Sequence, residues 1–567
     1  MRAADGSRGW WPTRAAWITS FAAAAAFTFS FPLSESFVAG WPLVFAWPLL
    51  MARAATCAPS ARSAAVAVFV PFFLAFLAHQ WWMREVTALG MPILVAYLAA
   101  WMALHGLMLR ALSGTLDAPR LPFAVTLPAT LVAVEFLRGD LVCTGYAWFF
   151  AAHPLVEWTM LAQCASLGGG WLLTALAAAV GGAALDALGR RGARPSMRRW
   201  ASPAAVAVAM AGALGYGVSR QATLQAADRD ARRTELLVVQ TNLPMSNKLA
   251  WAPEAQVEDF IDFAQLTLQG ATEARRPIDA ALWPETMVPG LGLEPQALGM
   301  LEERGLFPGS RFADALRDLS RRIDAPLIVG SPSFIGLRVE GNRFAWDAHH
   351  NSAYLVDAGG AQARTDKIFL TPFGETMPII SRSDWLEERL LALGADGMTF
   401  DLEEADAPTI LMLDTADGPV RVGVPICFEI TAPWASRRIA FDGGARAAEV
   451  LVNLSNDGWF AGSGAGRRQH LQVSQLRAIE LATPVVRAAN TGISASINAA
   501  GEVRGTVAAK TAGTLVASVA LASAVPVAAT VGDGVAWTAL ALVALGLLAR
   551  ASRSRRKMPD TLPRRDR

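Results

Sequence analysis

Two hydrophobic patterns follow each other along this chain of 567 residues. Residues 1–220 contain long uncharged apolar runs, whereas residues 221–532 contain short apolar runs between charged and turn-forming stretches. A helix needs about 20 largely apolar residues to cross a bilayer. Eight runs approach or exceed this length, at residues 15–34, 36–52, 63–83, 86–109, 121–137, 158–185, 200–219 and 534–549. We therefore predict eight transmembrane spans, seven before the middle segment and one after it.

The short apolar runs of the middle segment predict β-strands at residues 235–240, 280–283, 326–331, 352–357, 409–414, 420–427, 449–454, 484–490 and 494–498. Helical patterns lie between them, at residues 253–269, 311–322 and 469–481. Strands that alternate with helices are typical of a layered α/β domain. We thus predict a seven-span membrane domain (1–219), an α/β domain (220–532), and an eighth span with a basic tail (533–567).

Composition sharpens this division. The chain is 53% hydrophobic and 17% charged, with a mean hydropathy of +0.33, whereas a soluble domain carries about 25% charged residues. A single soluble core, a disordered chain and a nucleic-acid binder with a strong basic face are therefore excluded. The net charge of +2 conceals a split. Residues 1–220 hold 15 Lys/Arg against 8 Asp/Glu, residues 221–549 hold 27 against 38, and residues 550–567 hold 8 against 2.

The arginines predict the orientation, because Lys and Arg concentrate in cytoplasmic loops. The N-terminal segment is basic, and so are the loops at residues 53–62, 110–120 and 190–199 and the tail after residue 549. The alternate loops near residues 35, 84 and 140–157 are poor in basic residues. One topology satisfies every loop: both termini are cytoplasmic, and residues 220–532 lie on the outer face of the membrane.

Glu135 lies inside the fifth predicted span, three residues before Arg138. A carboxylate within a membrane is a functional candidate, but the spacing of three favours a local ion pair between the two side chains. The four cysteines, at positions 57, 143, 164 and 427, show no paired spacing. They indicate neither a disulfide framework nor a metal site, and we predict no metal and no cofactor.

Three clusters of reactive residues each end a strand-like run of the middle segment. They are residues 283–285 (WPE), residues 367–375 (KIFLTPFGE) and residues 425–429 (PICFE). Together they supply a thiol, carboxylate bases and a cation, which are the parts of nucleophilic acyl transfer. No histidine lies near these clusters in the sequence, so a glutamate is a better candidate for the base than a histidine.

The ordered Glu, Lys and Cys of these motifs resemble the catalytic triad of the nitrilase, or carbon–nitrogen hydrolase, superfamily. A nitrilase-like domain between seven spans and an eighth resembles the apolipoprotein N-acyltransferase family. Further stretches agree with that family: VVQTNLPMSNKLAW at 238–251, NLSNDGWF at 453–460, QHLQVSQLRAIE at 469–480 and RAANTGIS at 487–494. The resemblance implies an αββα sandwich for the middle domain beside an eight-span helical bundle.

The resemblance also assigns roles to individual residues. It makes Cys427 the nucleophile, Glu285 the general base and Lys367 the cation at the oxyanion, where the backbone N–H of Phe428 is a second donor. Supporting roles fall to Glu375, which would orient Lys367, and to Glu429, which would hold the nucleophile turn. The two positions that would line the substrate site are Trp251 and Asn351.

The activity implied by the resemblance is the last step of lipoprotein maturation in a bacterial inner membrane. Cys427 would take the sn-1 acyl chain of a phospholipid, with phosphatidylethanolamine as the expected donor, as a thioester. The acyl chain would pass to the N-terminal amine of a diacylglyceryl apolipoprotein. The membrane and these two lipid substrates are the expected partners, with no nucleic acid. A lid or lipid-facing arm at residues 381–397 is weighed against simple core packing.

Two departures from the family pattern keep alternatives open. Phe428 stands where a tyrosine is common, and Thr376 follows the PFGE motif where an aromatic residue is common. One alternative is a membrane-tethered amidase or nitrilase, which passes the acyl group to water. The other is a degenerate paralogue that binds lipid without catalysis.

Overall fold

The computed structural model describes residues 11–36, 40–115, 118–188, 200–243, 251–341, 343–372, 374–376 and 402–556. The arm predicted at residues 381–397 lies outside these described residues.

Helices dominate the first 230 residues. They are α1 (Arg14–Ser30), α2 (Ala46–Cys57), α3 (Ala61–Gln80), α4 (Gly90–Ser113), α5 (Phe123–Phe136), α6 (Thr159–Ala162), α7 (Ala165–Leu188) and α8 (Ala201–Asp230). A short hairpin, β1 (Gly114–Thr115) with β2 (Ala118–Pro119), joins α4 to α5. Close to the C-terminus, α15 (Gly534–Arg556) packs against α5, α4 and α7.

Five of these helices are long and apolar enough to cross a membrane: Ala61–Glu85, Gly90–Ser113, Ala165–Leu188, Ala201–Asp230 and Gly534–Arg553. The helices at the other three predicted spans, α1, α2 and α5, are shorter, with 17, 12 and 14 residues. The apolar helices therefore fit the predicted membrane part, while the count of eight spans stays a prediction.

The middle segment folds into two six-stranded sheets. Its strands are β3 (Arg233–Gln240), β4 (Ala280–Leu282), β5 (Leu327–Ile335), β6 (Arg338–Glu340), β7 (Arg343–Ala345), β8 (Ala348–Asp357), β9 (Gly360–Asp366), β10 (Leu411–Leu413), β11 (Val420–Gly423), β12 (Phe441–Asp442), β13 (Ala445–Arg446), β14 (Val450–Ser455), β15 (Val485–Ala489), β16 (Ser494–Ile497), β17 (Val503–Val507) and β18 (Gly513–Ala520). Its helices are α9 (Pro253–Glu273), α10 (Pro295–Glu303), α11 (Arg311–Ile323), α12 (Pro433–Ala440), α13 (Gly464–Leu481) and α14 (Val527–Val531).

The sheets pack face to face, in the strand orders β18-β3-β4-β5-β8-β9 and β10-β11-β14-β15-β16-β17. Alternate residues of a strand point to opposite faces, so Leu236 and Val238 meet Val452 between the sheets, whereas Leu237 faces the helices. Helices α9 and α11 cover the outer face of the first sheet, and α12 and α13 cover that of the second. This αββα layering confirms the predicted nitrilase-type fold, and all nine predicted strands are present.

The second helical layer also contacts the membrane part. Leu476 and Ile479 of α13 belong to the same apolar core as Phe27 and Leu155 from the first 230 residues. Ion pairs surround this contact, because Arg467 pairs with Glu35 and Arg468 with Glu157, while Gln472 donates to Glu157 as well. The sheet that carries residues 425–429 therefore rests on the membrane helices through α13.

The expected ion pair between Glu135 and Arg138 does not form in the described structure. Glu135 accepts hydrogen bonds from the Ala151 amide at 2.8 Å and the Thr174 hydroxyl at 2.8 Å. Arg138 donates to the backbone carbonyl of Trp148 at 2.7 Å. Both side chains thus hold the non-helical segment that follows α5, whose backbone groups need partners because no helix satisfies them.

Candidate active site

Cys427 lies in a tight turn between a strand and a short helix. Strand β11 ends at Gly423, and a short 3-10 helix begins at Cys427. The backbone φ of Cys427 is +52°, a conformation that costs energy for a residue with a side chain and that recurs at functional sites. Cys427 as a whole residue is partly buried in this turn.

Glu429 holds this turn against the loop that follows Lys367. One carboxylate oxygen accepts hydrogen bonds from the backbone amides of Ile368 at 2.6 Å and Phe369 at 3.1 Å. The other accepts a hydrogen bond from the backbone amide of Ile426 at 2.6 Å. Glu429 is only 1% exposed. The predicted supporting role of Glu429 therefore has a physical basis, since one side chain joins the nucleophile turn to the lysine loop.

Lys367 follows β9, and its side chain is fully buried. Its Nζ lies 2.6 Å from Glu375 Oε2 and 3.9 Å from Glu285 Oε1. Glu375 is itself fixed by the Thr371 amide at 2.8 Å. The ammonium is therefore oriented by one carboxylate and lies beside a second.

Glu285 follows β4, and both of its oxygens have partners. Oε1 accepts from Asn351 Nδ2 at 2.8 Å, and Oε2 accepts from the amide of Asn456 at 2.9 Å. The same Asn351 amide also donates to Glu375 at 3.2 Å. Asn351 thus holds the two carboxylates that flank Lys367, while its substrate-lining role stays a prediction.

Burial and neighbouring charges together determine the protonation of these groups. Burial alone lowers the pKa of Lys367, but Glu375 and Glu285 outweigh burial and raise it, so the ammonium stays charged. Burial opposes ionisation of Glu375, yet Lys367 lowers the pKa of that carboxyl. Burial and, to a smaller extent, the Glu285 carboxylate raise the pKa of the Cys427 thiol to about 12, whereas the Lys367 ammonium lowers it only in part. Burial raises the pKa of Glu429 to about 8, although Lys367 and the three accepted amides pull it down.

Phe428 points toward the membrane part. Its ring stacks on Trp148 with 6.2 Å between centroids and 6° between planes. Tyr146 and Phe369 lie at similar distances from the same ring, at 6.2 and 6.0 Å. The residue after the nucleophile is therefore held by aromatic side chains from both parts of the chain, a contact that the sequence alone did not indicate.

The structure does not bring Trp251 into the cluster. Its indole donates to Asp259 at 2.7 Å, its backbone carbonyl accepts from Gln256, and its ring packs against the core beside α9. Among the described residues, no hydrogen bond joins Trp251 to Glu285, Lys367 or Cys427. Its substrate-lining role remains a prediction.

Sequence reasoning missed a polar group behind Cys427, although the NLSNDGWF stretch contains part of it. Ser455 lies 3.7 Å from the thiol sulfur, and Asn453 holds the Cys427 carbonyl at 3.3 Å. His470, which is distant in sequence, lies against the Cys427 backbone. Burial, and then Arg487, lowers the pKa of His470 below its usual value, so the imidazole is neutral.

The geometry supports one kind of chemistry. A strained turn presents a neutral thiol, and both a buried cation, Lys367, and a carboxylate, Glu285, lie close enough to act on its charge. A carboxylate close to both a thiol and a cation can move a proton in each half of an acyl transfer. The site is therefore built for nucleophilic acyl transfer.

Comparison with known proteins decides the family. The model of the carbon–nitrogen hydrolase family matches residues 238–529, more than half of the chain. The model of the apolipoprotein N-acyltransferase N-terminal domain matches residues 23–183. An apolipoprotein N-acyltransferase of Bradyrhizobium diazoefficiens is 30% identical over 82% of this chain and 79% of its own length. The chain belongs to the apolipoprotein N-acyltransferase family.

Other members of this family agree. Apolipoprotein N-acyltransferases of Rhodopseudomonas palustris and Geobacter metallireducens are 30% and 28% identical, over 74% and 75% of this chain and 71% and 72% of their own lengths. Among solved structures, an amidase of a Nesterenkonia species is similar over 50% of this chain and 89% of its own, at 15% identity and a TM-score of 0.32. The carbon–nitrogen hydrolase model and the apolipoprotein N-acyltransferase relatives together show that the chain is an acyltransferase of the nitrilase superfamily.

Proposed function

We propose that this protein transfers the sn-1 acyl chain of a phospholipid, through a thioester on Cys427, to the N-terminal amine of a diacylglyceryl apolipoprotein. The observation that carries the proposal is the Glu285–Lys367–Cys427 cluster, in which a buried ammonium lies between two carboxylates beside a thiol on a strained turn. We further propose phosphatidylethanolamine as the donor.

The first half-reaction forms the thioester. Glu285 takes the proton of the Cys427 thiol, and the sulfur attacks the carbonyl carbon of the sn-1 ester. The oxyanion that forms is stabilised by the Lys367 ammonium and by the N–H of Phe428. When the intermediate collapses, the C–O bond breaks and Glu285 returns its proton to the departing glycerol oxygen, which releases a lysophospholipid.

The second half-reaction repeats these roles in reverse. Glu285 removes a proton from the α-amine of the lipoprotein cysteine, and the nitrogen attacks the thioester carbonyl. The C–S bond then breaks, the sulfur recovers a proton from Glu285, and an amide remains on the lipoprotein. A single base is sufficient because each half-reaction returns the proton that it borrowed.

The proposal includes the membrane orientation. In it, eight helices cross the inner membrane, both termini are cytoplasmic and residues 220–532 are periplasmic. Contacts at the two ends of the bundle support this arrangement. Arg110 donates to the carbonyls of Ala55 and Ala58, and Arg550 donates to Ala111. The loops at Glu35 and Glu157 pair instead with α13 of the α/β domain.

The proposal is tested on a lipoprotein N-terminus. Cells depleted of their own N-acyltransferase receive the wild-type protein, Cys427→Ser or, as a matched control, Cys143→Ser. Mass spectrometry should find a third acyl chain with the wild type and the control but not with Cys427→Ser. A wild-type protein that adds no third chain refutes the proposal. Ammonia release from small amides would then identify an amidase, and lipid binding without either product a non-catalytic protein.

A further inference from the structure

Ser455 is the last residue of strand β14, which ends directly beneath the nucleophile turn. A parallel bridge between Ile426 and Leu454 fixes the two segments next to each other. The Ser455 side chain is fully buried, and its hydroxyl oxygen lies 3.7 Å from Cys427 Sγ. A hydroxyl therefore touches the reacting sulfur, and the acyl-transfer roles described above make no use of it.

The same hydroxyl belongs to a buried ionic frame. Ser455 Oγ donates to Asp457 Oδ1 at 2.9 Å and lies 3.4 Å from Arg487 Nη2. Arg487 reaches both oxygens of Asp457 at 2.6 Å, and His470 Nδ1 lies 3.1 Å from Oδ1. Asp457 consequently keeps two charge-assisted bonds if the serine proton turns away from it, so rotation of that hydroxyl leaves no buried charge unpaired.

Arg487 also fixes the nucleophile turn itself. Its Nη1 donates to Asn453 Oδ1 at 2.5 Å. The amide of Asn453 in turn donates to the carbonyls of Pro425 at 2.8 Å and Cys427 at 3.3 Å. Asn453 and Ser455 are two residues apart on one strand, so their side chains point to the same side. The frame therefore sets the distance between the Ser455 hydroxyl and Sγ.

The charges around Sγ explain why such a donor is needed. The carboxylates of Glu285, Glu375 and Asp457 all disfavour a thiolate, and Lys367 is the cation that favours it. Lys367 must also stabilise the oxyanion on the substrate at the same stage of the reaction. A hydroxyl that can rotate toward the sulfur adds stabilisation where the negative charge develops, and it adds no charge of its own.

We propose that Ser455 is a further catalytic residue, whose hydroxyl turns from Asp457 to donate a hydrogen bond to the Cys427 sulfur as Glu285 removes the thiol proton. No proton leaves Ser455, and the bond is released once the sulfur has formed the C–S bond. This role deepens the acyl transfer proposed above and rests on it, but it can be tested without phospholipid.

The test follows alkylation of Cys427 by iodoacetamide at pH 8, quantified on the peptide that contains Cys427. Ser455→Ala should slow this alkylation about tenfold, because a hydrogen bond to a charged group changes the pKa by about one unit. Ser455→Thr retains the hydroxyl and should restore the wild-type rate. Ser474→Ala, which removes another fully buried serine from α13, should leave the rate unchanged.

The sign of the effect separates the proposal from a packing role. If Ser455 only fills space, the alanine variant opens room for the reagent, and Cys427 reacts as fast as in the wild type or faster. That result overturns the proposal, and so does a slow rate that threonine does not restore in a protein with an unchanged unfolding midpoint. Failure of the proposed acyl transfer has a different signature. In that case the wild-type protein forms no thioester with phospholipid, while Ser455→Ala still slows the alkylation of Cys427.

Discussion

Helices α8 and α13 reverse the usual relation between hydrophobicity and burial. In α8, an apolar helix of 30 residues, Ala213 and Gly217 are the buried residues, while Val208 is 74% exposed. In α13, which contains three Arg, three Gln and single His, Ser and Glu residues, every residue except Gly464 and Arg468 is buried. An exposed apolar surface of this kind marks a face that contacts lipid or protein, and the length and hydropathy of α8 fit a helix that crosses a membrane.

The polar character of α13 follows from what lies on its two sides. One side packs on the sheet of the α/β domain, and the other meets the membrane part. Gln469 accepts from the Trp148 indole at 2.6 Å and donates to the Pro32 carbonyl at 3.1 Å. Buried polar groups need partners, and the loop carbonyls of the membrane part supply them. The comparison teaches that α13 is a joint, which attaches the α/β domain and its Cys427 turn to the helices of the first 230 residues.

The largest expected effect is on the rate of thioester formation, and it comes from Lys367, a buried charged residue of the α/β domain. Lys367→Met removes the cation at the oxyanion and leaves Glu375 and Glu285 without it, so thioester formation should fall by about a thousandfold. The rate is measured by mass spectrometry of the Cys427 peptide after mixing with phospholipid. Lys510→Met, at an exposed turn, is the control and should react as the wild type. A loss smaller than about tenfold contradicts the role of Lys367.

The joint itself is tested by two arginines of α13. Arg477 is fully buried and pairs with the buried Glu480, so Arg477→Met leaves an unpaired buried charge and should lower the free energy of unfolding by about 3–5 kcal/mol. Arg468 pairs with Glu157 at a partly exposed site, and Arg468→Met should cost at most about 1 kcal/mol. Denaturant titration in detergent measures both variants. If both variants lose the same free energy of unfolding, the deeper burial of Arg477 does not make its ion pair more important than that of Arg468.

The pH dependence of Cys427 follows from its raised pKa. With a pKa of about 12, the thiol is neutral across the physiological range, and the thiolate fraction increases tenfold with each pH unit. The alkylation rate of Cys427 in the absence of phospholipid should therefore rise about tenfold per unit from pH 6 to pH 9, without a plateau. A plateau near pH 7 would show that the resting nucleophile is a thiolate.

The smallest expected effect is on the lipid side, and two glycines of α8 measure it. A Cβ at Gly217 would lie 1.8 Å from the Met160 carbonyl oxygen, whereas one at Gly212 would meet no atom within 4 Å. Gly217→Ala should therefore cost about 1–3 kcal/mol, because the helices must separate, and Gly212→Ala should change stability by less than about 0.5 kcal/mol. Similar losses in the two variants would place α8 in contact with protein along both positions.

The strands and the three reactive clusters could be predicted because each depends on a local pattern. Strand β14 is a short apolar run, and Cys427 is the last residue of another one. Strands β9, β17 and β18 of the two large sheets were not predicted, because their Gly, Thr, Ala and charged residues give little alternation. The lengths of α1, α2 and α5 could not be read from the sequence, since neighbouring uncharged segments, such as the 3-10 helix of residues 41–45 before α2, extend the apolar runs.

The contacts that complete the site join residues that are far apart in sequence. Glu285 accepts a hydrogen bond from the backbone amide of Asn456, which lies 171 positions away. A hydrophobic pattern along the sequence cannot predict such a distant contact. The burial of α13 could not be predicted either, because a helix that has protein on both sides does not have the separate polar and apolar faces of a surface helix. The Glu135–Arg138 spacing suggested a pair, but the backbone of the segment after α5 competed successfully for both side chains.

The most direct test of the account is to locate the acyl group on the enzyme. The protein is mixed with phosphatidylethanolamine that carries an isotopic label in its sn-1 chain alone, then digested and examined by mass spectrometry. The account predicts the labelled acyl group as a thioester on the Cys427 peptide and its disappearance when a diacylglyceryl peptide with a free α-amine is added. A label on another residue, or acyl transfer that persists in Cys427→Ser, would contradict it.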